Sequence, residues 1–145
     1  MARVRLTPPE PVLFSTPLKV QVGDLNYGNH LANDAVLRLV HEVRLRWLAS
    51  GGFSEMDAGG AGLIMADAMV QYVSQAFYGD ELMCQISIGE IGRSGFEIYT
   101  NILHQNGAVI AMIKNGMVCF DYSAQKVVNI PEALLNFINK KSASS

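Results

Sequence analysis

The segment Val-Gln-Val-Gly-Asp-Leu-Asn-Tyr-Gly-Asn-His-Leu-Ala-Asn-Asp (residues 20–34) joins a β-branched run to a long helical pattern. The run ends at Gly23 and Asp24, and a largely polar loop follows. This order places the Asp24 carboxylate near the start of a helix, where unpaired backbone N–H groups create positive potential. A carboxylate in that position can attack a carbonyl while the N–H groups stabilise the resulting oxyanion. The segment therefore predicts a strand–loop–helix unit with a reactive loop.

The helical pattern covers about residues 31–50 and ends at Gly51 and Gly52. Its apolar stripe recurs at helical spacing and consists of Val36, Val40, Val43 and Trp47, with Leu39 beside them. A helix of about 20 residues is about 30 Å long. Only a broad sheet can bury a stripe of that length.

The remaining chain predicts this sheet. Strand patterns occur at residues 12–22, 63–74, 82–88, 96–102 and 108–120. Asn106-Gly107 is a strong hairpin signal, and Pro131-Glu132 is typical of the start of a short final helix. The predicted fold class is α+β, with one long helix packed on a five-stranded antiparallel sheet. We expect a single domain over residues 1–145, with a frayed tail from about 139 to 145.

Composition narrows the class of function. Half of the 145 residues are hydrophobic, 17% are charged and the net charge is −2. Without a basic block, nucleic acid is not an expected partner. The apolar runs are too short for a membrane helix, and the first residues lack a signal core, so we expect a cytoplasmic protein with no membrane partner. The low charge favours a homo-oligomer, and Cys84 and Cys119 lack metal-ligand spacing.

Three segments together resemble one known family. They are residues 24–33, 78–82 and 91–96, and they match in order and spacing the hotdog-fold thioesterases of the 4-hydroxybenzoyl-CoA thioesterase and YbgC-like group. Two positions depart from the family pattern. This chain has Asn26 where a second Asp is common, and Asn29 where Gly usually precedes the His. These departures leave the subfamily and the preferred acyl group open.

The resemblance implies hydrolysis of an acyl thioester, usually of coenzyme A, with no cofactor other than the CoA carried by the substrate. Asp24 is then the nucleophile or the general base that activates water, and both schemes remain open. By its offset from Asp24, the backbone N–H of Leu31 is the expected donor to the thioester carbonyl. His30 is expected to bond either the thioester oxygen or a loop carbonyl.

The resemblance also implies a substrate site between subunits of a homodimer or a tetramer. In this family the strand after the helix lines the acyl pocket of the partner subunit, which indicates Met65, Met69 and Tyr72. The two methionines are either core residues or pocket residues that suit a varied acyl chain. Arg93 and Ser94 are either contacts for the CoA phosphates or a solvated turn. Asn26 and Asn29 are either turn-forming residues or substrate contacts.

Two other functions remain open at the level of sequence. Hotdog enoyl-CoA hydratases place an Asp and a His five residues apart, whereas Asp24 and His30 are six apart and the usual Pro is missing. The chain could also bind acyl-CoA, or serve in an assembly, without turnover. Glu42 is flanked by Arg38 and Arg46 at i±4, which favours a solvated charge ladder over a catalytic role.

Overall fold

The structure, a computed structural model, describes residues 3–139. Its first elements form the predicted strand–loop–helix unit. Strand β1 is Phe14–Lys19, a single 3-10 turn covers Val22–Asp24, and helix α1 is Asn33–Ser50. The remaining elements are β2 (Gly62–Tyr72), β3 (Glu81–Ile91), β4 (Gly95–His104), β5 (Val109–Asp121), β6 (Lys126–Val127) and α2 (Glu132–Ile138). Most of the predicted frayed tail, residues 140–145, lies outside the described residues.

The strands form one antiparallel sheet in the order β1-β3-β4-β5-β2. The two-residue strand β6 pairs with the last two residues of β5, Phe120 and Asp121. Strands β1 and β2 are therefore the two edges of the long sheet. The predicted α+β class, with a long helix on an antiparallel sheet and a short final helix, is confirmed. The five predicted strands form the sheet, and within residues 3–139 the two-residue β6 is added to them.

Two element boundaries differ from the expectation for a common reason. Val20 leaves the β1 ladder because its N–H and carbonyl pair with Asp80 and Gly79. Helix α1 begins at Asn33, not at residue 31, because Ala32 is extended, with φ −74° and ψ 145°, while the N–H groups of Leu31 and Ala32 donate to the carbonyls of Ala76 and Asp24. Long-range backbone partners thus shorten both elements at the loop.

The predicted apolar stripe of α1 is buried against the sheet. At the end of the helix, the Trp47 ring stacks on Phe137 of α2 at a centroid distance of 4.9 Å. Each fully buried large apolar side chain contributes about 1.5–3 kcal/mol relative to exposure. Packing along its whole length therefore holds α1, and with it the N-terminus of the helix, in a fixed position. Within residues 3–139, no helix is long and apolar enough to cross a membrane.

A partly buried ion pair ties α1 to the loop before β2. The Glu55 carboxylate accepts hydrogen bonds of 2.7 Å from Arg44 Nε and of 2.7 Å from His41 Nε2. Burial alone would raise the pKa of Glu55, but the hydrogen bonds and charges of Arg44 and His41 outweigh it and lower this pKa. The Arg44 side chain is only 8% exposed, so its buried charge needs the Glu55 carboxylate as its counter-charge.

We expect Glu55→Gln to lower the free energy of unfolding by about 2 kcal/mol, because it leaves the Arg44 guanidinium buried without its counter-charge. Urea denaturation at neutral pH measures the effect. Glu42→Gln is the matched control, since its exposed pair with Arg46 contributes less than about 0.5 kcal/mol.

The Glu55 effect should also depend on pH. Because the fold lowers the pKa of Glu55, its contribution is complete above the ordinary value of 4.5 and is lost as pH falls through the folded value. The difference between wild type and Glu55→Gln should therefore shrink at acidic pH. Equal stability of the two proteins at neutral pH would contradict the role of the pair.

Candidate active site

The loop between Asp24 and α1 is closed by backbone hydrogen bonds. The N–H of Ala32 donates to the Asp24 carbonyl at 2.9 Å, and that of Asn26 donates to the His30 carbonyl at 3.0 Å. A second contact joins the loop to the segment after β2, where His30 and Phe77 form an isolated β-bridge. The loop is thus a closed turn held against the chain that leads into β3.

The first free N–H groups of α1 belong to Asn33 and Asp34. The Leu31 N–H donates to the Ala76 carbonyl at 2.8 Å, so in this structure it is not available to a substrate carbonyl as the sequence had suggested. Among residues 3–139, the N–H groups of Asn33 and Asp34 have no acceptor, as expected for the first positions of a helix. The positive end of an 18-residue helix is therefore open at Asn33.

A cavity of about 200 Å³ lies at this helix end. Its wall combines polar groups of the loop with apolar side chains from α1, β2 and β5 and consists of His30, Leu31, Asn33, Val36, Tyr72, Val73, Ser74, Gln75, Ile110 and Ala111. The Tyr72 hydroxyl donates to the Asn33 carbonyl at 3.1 Å, which ties β2 to the first turn of the helix. The structure thus brings together His30, Leu31 and Tyr72 from the predicted site.

Asn26 and Asn29 shape the turn beneath His30. Asn26 Oδ1 accepts the N–H of Gly28 at 2.8 Å, and Asn26 Nδ2 lies 3.4 Å from His30 Nδ1. Asn29 adopts a φ of 66°, and its N–H donates to the Asn26 carbonyl at 2.9 Å. Asn tolerates this left-handed conformation better than most residues. Both asparagines therefore form the turn, and Asn26 also contacts His30.

The Asp24 carboxylate faces a different cavity. Its side chain is only 11% exposed, with one oxygen accepting the Gln21 N–H at 2.9 Å and the other 3.7 Å from Arg38. It lines a groove of about 730 Å³ between α1 and β1, together with Arg38 and Glu42. This groove shares no lining residue with the cavity at the helix end. The loop thus separates the Asp24 carboxylate from His30.

A β-bulge at position 66 separates the predicted acyl-pocket residues of β2. Before the bulge Met65 pairs with Met117, which is buried on the helix side of the sheet. After it Met69 pairs with Lys114, on the opposite face. The extra residue shifts the alternation by one, so that Met65 and Tyr72 share the helix side. Met69 does not share the face of Met65, although an unbroken strand would place both on one face.

Arg93 and Ser94 form the turn between β3 and β4. Their carbonyls accept the N–H groups of Ile130 and Cys119. Strand β3 starts beside the His30 loop and has 11 residues, so this turn lies about 30 Å away along the strand. Within a single subunit, Arg93 and Ser94 are therefore not part of the cavity at the helix end.

Other chemistries find no support in the described part of the chain. Burial raises the pKa of the Cys84 thiol to about 12 and also raises that of Cys119, so neither is an activated nucleophile. Among residues 3–139, no group of three His, Cys, Asp or Glu side chains is arranged to hold a metal ion. The sequence reasoning missed Asn33 and Asp34 as donors. The signal that could have identified them is their position at the first two residues of the helix, directly after the extended residue Ala32.

A long helix on an antiparallel sheet, with its open N-terminus at a cavity, is the architecture of hotdog-fold enzymes. The sequence profile of the thioesterase-like superfamily matches residues 20–138. The chain therefore belongs to this family, and its enzyme class is that of the thioester hydrolases.

Solved structures share the fold at low sequence identity. A 1,4-dihydroxy-2-naphthoyl-CoA thioesterase from Synechocystis has a TM-score of 0.79 and 20% identity over 86% of this chain and 94% of its own. The probable thioesterase YbaW from Escherichia coli has a TM-score of 0.76 and 22% identity over 87% and 98%. The protein SAV2348 from Staphylococcus aureus, solved with CoA, has a TM-score of 0.80 and 15% identity over 93% and 85%. No curated protein matches the chain.

Proposed function

We propose that this protein hydrolyses acyl-CoA thioesters to the free acid and CoA at the N-terminus of α1. The observation that carries the proposal is the unbonded N–H group of Asn33 at the start of α1, since Asn33 lines a cavity that His30 also lines. Membership of the thioesterase-like superfamily and the similarity to a protein solved with CoA support the same chemistry.

The Asn33 N–H is the proposed donor to the thioester oxygen. As the carbonyl carbon is attacked, negative charge moves to this oxygen, and a fixed donor at the positive end of a helix stabilises it. Since α1 is packed along its whole length, this donor needs no rearrangement when the charge develops. A single donor of this kind contributes about 10²–10³ in kcat.

Asp24 is the proposed carboxylate of the reaction. As a nucleophile, it would form an anhydride with the acyl group and release the CoA thiolate, and water would then cleave the anhydride. As a general base, it would take a proton from the water that attacks the thioester. Either role requires the Asp24 side chain to give up its contacts with the Gln21 N–H and Arg38 and to turn from the α1–β1 groove toward the cavity at the helix end. Its backbone connection to Ala32, at 2.9 Å, keeps it at the helix start.

The acyl group is proposed to enter the cavity between α1 and β2, and a second copy of the chain is proposed to complete it. A volume of about 200 Å³ is below the range of about 300–1,000 Å³ that ligand sites occupy. The neighbouring edge strand β2 exposes 43% of Met65 and 40% of Met69. An edge strand with exposed apolar side chains readily pairs with another chain.

Pairing of β2 with β2 of the second copy would give the distant β3–β4 turn, with Arg93 and Ser94, a place near a substrate site. Two identical edge strands paired antiparallel reverse the direction of the sheet, so that the β3–β4 turn of one copy lies toward the helix start of the other. On this arrangement we assign Arg93 and Ser94 to the CoA phosphates bound at the neighbouring subunit's cavity. Both cysteines are free and buried, which suits the reducing cytoplasm we propose as the location.

We expect the protein to be a homodimer or a tetramer in solution, because a lone subunit exposes the β2 edge and leaves the proposed acyl cavity small. Light scattering at micromolar protein concentration measures the mass. A single-chain mass at these concentrations would contradict the shared cavity.

Release of free thiol from a panel of acyl-CoAs tests the function. The panel should cover graded chain lengths and aromatic acyl groups, because the structure leaves the preferred acyl group open. Hydration of crotonyl-CoA without thiol release would favour the hydratase alternative. Tight binding of acyl-CoA with no thiol release from any substrate would make the protein a non-catalytic binding module.

A further inference from the structure

The side-chain amide of Asn26 has only one orientation that satisfies its neighbours. Its Oδ1 accepts the Gly28 N–H at 2.8 Å and faces the His30 N–H at 3.4 Å. A flipped amide would point two N–H donors at these two N–H groups. The amide nitrogen must therefore be the atom that faces His30 Nδ1, at 3.4 Å.

This orientation determines the proton position on the His30 ring. Because an amide nitrogen only donates, Nδ1 must act as an acceptor, and in a neutral imidazole the proton then resides on Nε2. The opposite tautomer would lose the bond to Asn26 or force the amide to flip, which favours the Nε2–H form by about two- to tenfold.

The Nε2 edge of His30 lies beside Gly28, which carries no side chain. A Cβ atom on this residue would lie 3.1 Å from Nε2, so a larger residue at position 28 would crowd this edge. The Phe77 ring meets the imidazole edge-to-face at a centroid distance of 6.2 Å and limits its rotation. Within residues 3–139, Nε2 has no hydrogen-bond partner in the protein, although His30 lines the cavity at the helix end.

We infer that Asn26 is a positioning residue that holds His30 as its Nε2–H tautomer, so that His30 donates a hydrogen bond to the thioester oxygen instead of acting as a general base. The role in catalysis rests on the proposed thioesterase function, but the tautomer does not. Together with the Asn33 N–H, His30 then supplies a second donor to the oxygen on which charge develops.

Imidazole ¹H–¹⁵N correlation spectra at alkaline pH, where free histidine is neutral, test the tautomer directly. We expect the His30 proton on Nε2 in the wild type, and a shift of the proton to Nδ1 in Asn26→Asp, because the carboxylate accepts where the amide donated. His41 and His104 serve as internal controls that should not change. A wild-type proton on Nδ1, or no change in Asn26→Asp, would overturn the inference.

Two variants of His30 separate a donor from a base. A glutamine can donate from its amide but cannot take a proton, so His30→Gln should retain kcat within about tenfold, whereas His30→Ala should lose about 10²-fold. Equal losses in both variants would refute the donor role. If no acyl-CoA is hydrolysed by the wild type, the proposed function fails, and the spectra still decide the tautomer.

Discussion

Asn33→Pro is expected to lower kcat for acyl-CoA hydrolysis by about 10²–10³-fold while helix α1 remains intact. Proline removes the backbone N–H together with the Asn33 side chain, and at the first helical position this N–H has no intrahelical acceptor to lose. The preceding residue, Ala32, has φ −74° and ψ 145°, which is the extended conformation that a following proline requires. The substitution thus deletes the proposed oxyanion donor at its least disruptive position.

The matched control is Asn33→Ala, which removes the same side chain but keeps the N–H. We expect this control to retain nearly full kcat, and both variants to retain the helical circular-dichroism signal and the unfolding midpoint of the wild type. Thiol release under saturating substrate separates kcat from KM. Full kcat in Asn33→Pro would show that the start of α1 does not polarise the thioester.

Asp24→Asn should reduce thioester hydrolysis by on the order of 10³-fold or more, because an amide can neither attack the acyl carbon nor accept a proton from water. The asparagine oxygen can still accept the Gln21 N–H that Asp24 binds at 2.9 Å. The turn should therefore survive, and thermal unfolding should differ little from the wild type.

Comparison with Asp24→Ala separates a chemical role from a structural one. The alanine removes the acceptor for the Gln21 N–H as well as the charge, so it should lose stability in addition to activity. If Asp24 only holds the turn, Asp24→Asn would keep its activity while Asp24→Ala would lose both. That result would remove Asp24 from the reaction and leave it a structural residue of the loop.

The elements of this fold could be read from local patterns. The stripe from Val36 to Trp47 predicts α1, and the alternation in β3 and β4 predicts strands. Asn106-Gly107 predicts the hairpin turn that joins β4 to β5. Such patterns depend on side-chain periodicity within about ten residues, and burial in the structure follows them. The loop at residues 24–33 could also be identified as the candidate site.

The atoms that face a substrate could not be assigned from those patterns. Whether Leu31 or Asn33 carries the free N–H depends on Ala76, which comes from the segment between β2 and β3 and whose carbonyl accepts the Leu31 N–H. The bulge in β2 likewise reverses the face of Met69 relative to Met65. Periodicity along the chain specifies helices and strands, whereas hydrogen bonds between distant segments determine which donors, acceptors and faces remain free.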